Sequence, residues 1–391
     1  MRAPALIAAC SALAIAGGAV LAGDKSQTVL SFSSPEREAI LSHGPWPLPR
    51  SPDPSNRVSG QAGAIALGRR LFFDARLSAD QKRSCATCHD PALSFADGRE
   101  RSLGRERVDR NAIALANLQL NRWFGWTGAA DSLWAQSIRP ILDDKELGAT
   151  PELVRDRLAA DAGLSAAYGR LFGAEPAREA PERALVNVAK ALAAFMETIV
   201  TGRTAFDAFR DALARGDAAA MARYPLPAQR GLQIFIGKGQ CASCHHGPAF
   251  TNGEFDDVGV AYFAAAGRVD QGRHGGIAAL RASPFTLLGP YNDDATRTTA
   301  GPTRHVEPQH RNWGEFRVPS LRNVANTAPY MHNGSLATLT DVARHYSDVD
   351  IERLHGDDGA RLVRPLRLGP QERADLVAFL ETLSGAIAVA D

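Results

Sequence analysis

At 391 residues, 45% hydrophobic and 22% charged, the chain has room for two or three globular domains of ordinary composition. Its 44 Lys and Arg against 43 Asp and Glu leave a formal net charge of +1, which gives no support to nucleic acid or another polyanion as a partner. At the N-terminus, Arg2 precedes an apolar run from Ala5, rich in Ala and Gly, that ends in Val20-Leu21-Ala22. This predicts a secretory signal over residues 1–22, cut after Ala22. The alternative, a membrane anchor, needs a longer and more apolar run. Ile7-Ala8-Ala9-Cys10 has the form of a lipoprotein box but lies ahead of most of the apolar region. No later stretch is long enough to span a bilayer, so the mature chain is expected to have no membrane span. Residues 23–56, rich in Ser and Pro, read as an extended arm.

The next elements bring in the cysteines. Cys10 lies in the signal, and the other four form two pairs, Cys85-Ala86-Thr87-Cys88-His89 and Cys241-Ala242-Ser243-Cys244-His245. Two thiols separated by two residues on a helical turn reach both vinyl groups of a haem, and the adjacent His reaches its iron. A four-cysteine zinc site does not require a His after each pair, and a thioredoxin-like pair needs a βαβ pattern that is missing here. The motifs therefore predict two covalently bound c-type haems, held by Cys85, Cys88 and His89 and by Cys241, Cys244 and His245.

Helical periodicity dominates the chain: residues 151–160, 181–200, 206–214, 228–236 and 370–383 carry apolar residues at helical spacing. The motif regions also repeat. Gly68-Arg69-Arg70-Leu71-Phe72 precedes the first motif, and Pro91-Ala92, Phe95 and Gly98 follow it. Gly231-Leu232-Gln233-Ile234-Phe235 and Pro248-Ala249-Phe250 with Gly253 flank the second. Duplication of a cytochrome c unit accounts for this economically. The expected fold is all-α, with cytochrome c-like domains over residues 57–215 and 216–391. Residues 267–314, dense in Gly, Pro, Thr, Asp and Arg, show no period and read as a long loop.

Further motifs accompany the haem sites: Leu67 to Phe72 with Asp74-Ala75-Arg76-Leu77-Ser78, Arg110-Asn111, and Phe124-Gly125-Trp126-Thr127-Gly128. Ser320 to Val324 and Thr327 to Gly334 complete the set. On these the chain resembles the bacterial dihaem cytochrome c peroxidase family, including its MauG branch, from about Leu67 to Gly385. The resemblance implies a peroxide-binding haem on His89 and an electron-transfer haem on His245. It also implies Trp126 as an electron relay between them, Glu146 as the general acid/base for H2O2, and Gln136 as a hydrogen-bonding group beside it. Asn111, Thr327 and Pro329 match positions that hold Ca2+, and His332 reads as structural. Dimerisation is a family trait, so a homodimer is an expectation of the same kind.

Two departures bear on function. Many relatives place a His after the first motif that closes the resting iron, but here no His occurs between His89 and His245. The first haem is therefore expected to be open at its sixth position. Where peroxidases of the family commonly use a Met at the second haem, the matching residue here is Tyr346, as in MauG, with Met331 and His345 as rivals. A phenolate favours ferric and higher iron. The expectation is thus a periplasmic, H2O2-dependent dihaem oxidase that leans toward oxidising a partner protein. The alternatives are a peroxidase fed by a small cytochrome or cupredoxin and, less favoured, an electron carrier without turnover.

Overall fold

The computed structural model describes residues 29–260, 263–265, 267–353 and 363–389. The expected signal, residues 1–22, lies outside the described residues. Helices carry the fold. In the first half they are α1 (Ser34–Ser42), α2 (Ala62–Phe72), α3 (Leu133–Leu142), α4 (Pro151–Ala160), α5 (Ala162–Phe172) and α6 (Pro181–Met196). In the second they are α7 (Ala205–Arg215), α8 (Ala218–Met221), α9 (Leu226–Ile236), α10 (Gly272–Ala282), α11 (Gly301–His305), α12 (Leu339–Asp348) and α13 (Pro370–Glu381). Among the described residues, strands are confined to three short antiparallel pairs: β1 (Val200–Thr201) with β6 (Ile387–Ala388), β2 (Phe255–Asp256) with β5 (Phe316–Arg317), and β3 (Phe263–Ala265) with β4 (Arg268–Val269). No described helix is long and apolar enough to cross a membrane.

Two hydrophobic cores organise these elements. One gathers Leu71, Phe72, Trp134, Ile138, Leu185, Leu192 and Phe195, from α2, α3 and α6. The other gathers Phe206, Phe209, Leu232, Phe235, Leu376 and Phe379, from α7, α9 and α13, with Phe250 from the loop after the second motif. The repeat seen in the sequence is built into both. Helix α2 crosses α6 at Gly68, where an added Cβ would lie 1.9 Å from the Ala191 carbonyl oxygen. Helix α9 crosses α13 at Gly231, where it would lie 1.9 Å from the Asp375 carbonyl oxygen. Only glycine lets the two backbones approach so closely.

Four expectations are corrected. The arm is not extended throughout: Ser33 donates through N and Oγ to Glu36, 2.7 Å in each case, and this caps α1. Helix α1 then buries Ile40 in the second core. The Ser and Pro residues that suggested an arm are a helix start. Helix α7, expected in the first domain, packs in the second core through Phe206, Phe209 and Leu213. Residues 267–314 are not one loop, because they contain α10 and α11. Leu287 and Ala300 from this stretch enter the first core. Its polar residues are consumed by capping turns; Asp294, for example, accepts from Thr296, Thr298 and Thr299, which disguises the ordered chain as loop composition. Helix α6 also ends earlier than periodicity implied, since the β-branched run Thr198-Ile199-Val200 leaves the helix to pair with Ala388.

Candidate functional site

Each Cys-x-x-Cys-His motif folds as a single 3-10 turn, Cys85–Thr87 and Cys241–Ser243. The His amide closes it by donating to the first Cys carbonyl, at 3.0 Å for His89 and 2.9 Å for His245. Each imidazole is then fixed by Nδ1: His89 to the Phe95 carbonyl oxygen at 3.2 Å and His245 to that of Phe250 at 3.0 Å. Both Phe residues have positive φ, +60° and +53°, so the two loops turn the same carbonyl back to the ring. Nδ1 is engaged as donor, which leaves Nε2 as the free donor atom for a metal. Burial lowers the pKa of both imidazoles, that of His245 to about 4, so each is neutral at physiological pH.

Around the first motif lies a cavity of about 640 Å³, lined by Cys85, Cys88, His89, Trp126, Gln136 and Glu146 among others. Helix α3 supplies Gln136, and Ser132 Oγ starts that helix by accepting from the Ala135 amide at 3.2 Å. The Asp143 amide closes it on the Arg139 carbonyl, and the following turn, with Gly148 at φ +60°, presents Glu146. Burial, then the nearby Asp143 carboxylate, pushes Glu146 up to about 7, and Arg139 opposes the shift. A carboxyl group held near neutrality can take up and give back a proton under physiological conditions. Gln136 Oε1 is buried with no hydrogen-bond partner.

Trp126 sits in a turn closed by Phe124 N to Ala130 O at 3.0 Å. Its indole Nε1 donates to the Asn111 carbonyl oxygen at 2.9 Å, and its own carbonyl accepts from the Arg317 amide at 2.8 Å. Arg317 pairs with Phe255 in β2, and Asp256, next along that strand, has a carboxylate oxygen 3.6 Å from Cys244 Sγ. A short bonded route thus runs from Trp126 to the second motif. His332 is buried, stacked on Phe316 at 3.5 Å and edge-on to Trp126 at 6.5 Å.

At the second motif, burial, and after it the nearby Cys241 and Cys244, raises the pKa of Tyr346 on α12. His345 Nε2 is held by the Val258 carbonyl at 2.7 Å. Asn111 Nδ2 donates to the Arg99 carbonyl, which leaves its amide oxygen, and its backbone amide donates to His332 O at 2.9 Å. This brings Asn111 to the 327–332 segment, where Thr327 Oγ1 is spent on the Val324 carbonyl.

Sequence reasoning missed Arg317. It is 3% exposed and lines the cavity, and burial alone lowers its pKa to about 10, since no carboxylate lies close enough to compensate. A guanidinium buried in this way calls for an anion from outside the chain. With two thiols, a neutral imidazole and this cation around one cavity, the residues fit a haem, whose propionates would supply the missing charge. Arg317 was hidden because its carboxylate-free setting is a property of packing, not of local sequence.

A family model for di-haem cytochrome c peroxidase matches residues 62–215. The methylamine utilization protein MauG of Methylorubrum extorquens is 34% identical over 321 residues, covering 82% of this chain and 77% of the relative. Cytochrome-c peroxidase IdrP2 of Denitromonas iodatirespirans is 32% identical, covering 84% and 83%. Among solved structures, a MauG-like protein associated with microbial copper homeostasis aligns at a TM-score of 0.62 and 28% identity, covering 88% of this chain and 96% of that one.

Proposed function

The chain belongs to the di-haem cytochrome c peroxidase family, an oxidoreductase acting on peroxide, and on that premise we propose that it is a periplasmic enzyme of MauG-like type with two covalent c-type haems. The haem on Cys85, Cys88 and His89, in the domain built on the first core, serves peroxide. The haem on Cys241, Cys244 and His245, in the domain built on the second, serves electron transfer. Bound haem supplies the redox centre at which peroxide takes up two electrons, which a redox partner protein replaces.

The observation that carries the reading is Glu146, buried and near-neutral in the cavity that also holds Cys85, Cys88 and His89. Its carboxylate takes the proton from one peroxide oxygen and delivers it to the other, so that the O–O bond breaks with a water as leaving group. Gln136, with a buried carbonyl oxygen left unpaired, accepts a hydrogen bond from the substrate. Trp126, which lines the first cavity and is bonded toward the second motif, carries oxidising equivalents between them. One methionine, Met196, also lines the cavity. A haem held by His89 would have its other side open to peroxide, and replacing Met196 with Leu is expected to leave its spectrum unchanged. Calcium is proposed at Asn111 with the carbonyls of Thr327 and Pro329, since uncharged oxygen donors suit a hard cation.

Tyr346 favours oxidation of a partner protein over reduction by a small cytochrome or cupredoxin. It is close to both second-motif cysteines, while its rival His345 is committed to Val258. The test is Tyr346→Phe in the mature protein. A changed absorption spectrum and a raised potential of the second haem support ligation, and an unchanged spectrum ends the MauG-like reading and leaves the conventional peroxidase.

A further inference from the structure

Four arginines line the cavity: Arg83, Arg110, Arg139 and Arg317. Three are committed. Arg83 pairs with Asp80, Arg110 with Asp270 at 2.5 Å, and Arg317 donates through Nε to the Gly125 carbonyl at 3.2 Å. Arg139 makes no ion pair among the described residues, although it sits one helical turn from Gln136 on α3. That i, i+3 spacing puts the two side chains on one face. Its side chain is exposed, yet it lines the cavity that holds His89 and Glu146, so the exposed surface includes the cavity wall. Its nearest charges are the carboxylates of Glu146 and Asp143 and, opposing them, the guanidinium of Arg110.

We propose that Arg139 is an anion-binding residue of the peroxide site: its guanidinium holds the negative charge of hydroperoxide, or of a small anion in its place, beside Glu146 and Gln136. The proposal rests on the reading of this cavity as the peroxide-binding haem site. A guanidinium offers several donors in a planar fork, and one placed beside the reacting group stabilises charge that develops on a substrate. Once Glu146 has taken the peroxide proton, the remaining anion needs a cation; Arg317, also without a carboxylate, is held by the Gly125 carbonyl, and among the described residues Arg139 is the cavity arginine with neither an ion pair nor a side-chain hydrogen bond. The arrangement also divides the work between the two residues. Arg139 binds charge and Glu146 moves the proton, while attraction between them keeps Glu146 from rising further.

The test is ligand binding to the ferric holoprotein, read from the absorption of the first haem, with fluoride as the anionic probe and imidazole as the neutral one. Arg139→Gln is expected to weaken fluoride binding by about tenfold or more, on the scale of one lost charge-assisted hydrogen bond, and to leave imidazole binding unchanged. Arg139→Lys is expected to recover part of the fluoride affinity. Equal effects on both ligands, or no effect on fluoride, would overturn the assignment and leave Arg139 as a partner of the haem propionates. If the unmodified protein binds neither ligand, the reading of an accessible iron fails first, and the role of Arg139 fails with it.

Discussion

Glu146 concentrates the chemistry of the site in one group. Its carboxylate form accepts the peroxide proton and its pKa lies at about 7. The second-order rate with peroxide should therefore climb roughly tenfold per pH unit below that value and level off above it. Stopped-flow absorbance across pH measures this. Glu146→Gln should remove the pH-dependent limb and slow the reaction by about 10²–10⁴-fold, and a variant that keeps both limb and rate would remove Glu146 from the mechanism. The residue's candidacy was legible in the sequence through family resemblance, whereas its near-neutral carboxyl group is a result of burial and of Asp143. Arg317 and Arg139 were illegible for a related reason. Whether an arginine has a carboxylate partner depends on which segments fold together, and both of these line a cavity whose walls come from distant parts of the chain.

At the scale of elements, the paired motif turns and the glycine crossings show how far the duplication extends. The same helix–glycine–helix contact sits ahead of each Cys-x-x-Cys-His turn, and the same left-handed Phe follows it. Gly68→Ala and Gly231→Ala should each destabilise the protein by about 2 kcal/mol or more, because backbone on the facing helix cannot yield as a side chain can. Gly301→Ala, which meets nothing within 4 Å, should be nearly neutral. Thermal melts of the three variants make the comparison, and equal melting temperatures would refute the account of the crossings. Most helices were legible because one apolar face recurs at helical spacing. Helix α1 was not, because its nine residues bury only Ile40 and its start signal, Ser33 with Glu36, sits among prolines that suggest a loop. Helices α10 and α11 were missed for their glycines and polar turns.

For the molecule as a whole, the two cores exchange segments. The N-terminal helix α1 packs on the second core, and Leu287, from the second half of the sequence, packs on the first. The buried Lys190–Asp293 pair, at 2.5 Å, joins α6 to the same crossing stretch. Breaking that pair with Asp293→Ala leaves a buried ammonium without its carboxylate and should cost about 3–5 kcal/mol. A single cooperative melt shifted downward is the expected result, and two separate transitions in the unmodified protein would show that the halves fold independently. The measurement that bears most directly on the central claim is the intact mass of mature protein extracted with acidified organic solvent, followed by peptide mapping. The account predicts two haems retained per chain, one on the peptide carrying Cys85 to His89 and one on that carrying Cys241 to His245. A chain that loses its pigment to the solvent, or carries a single haem, would contradict it.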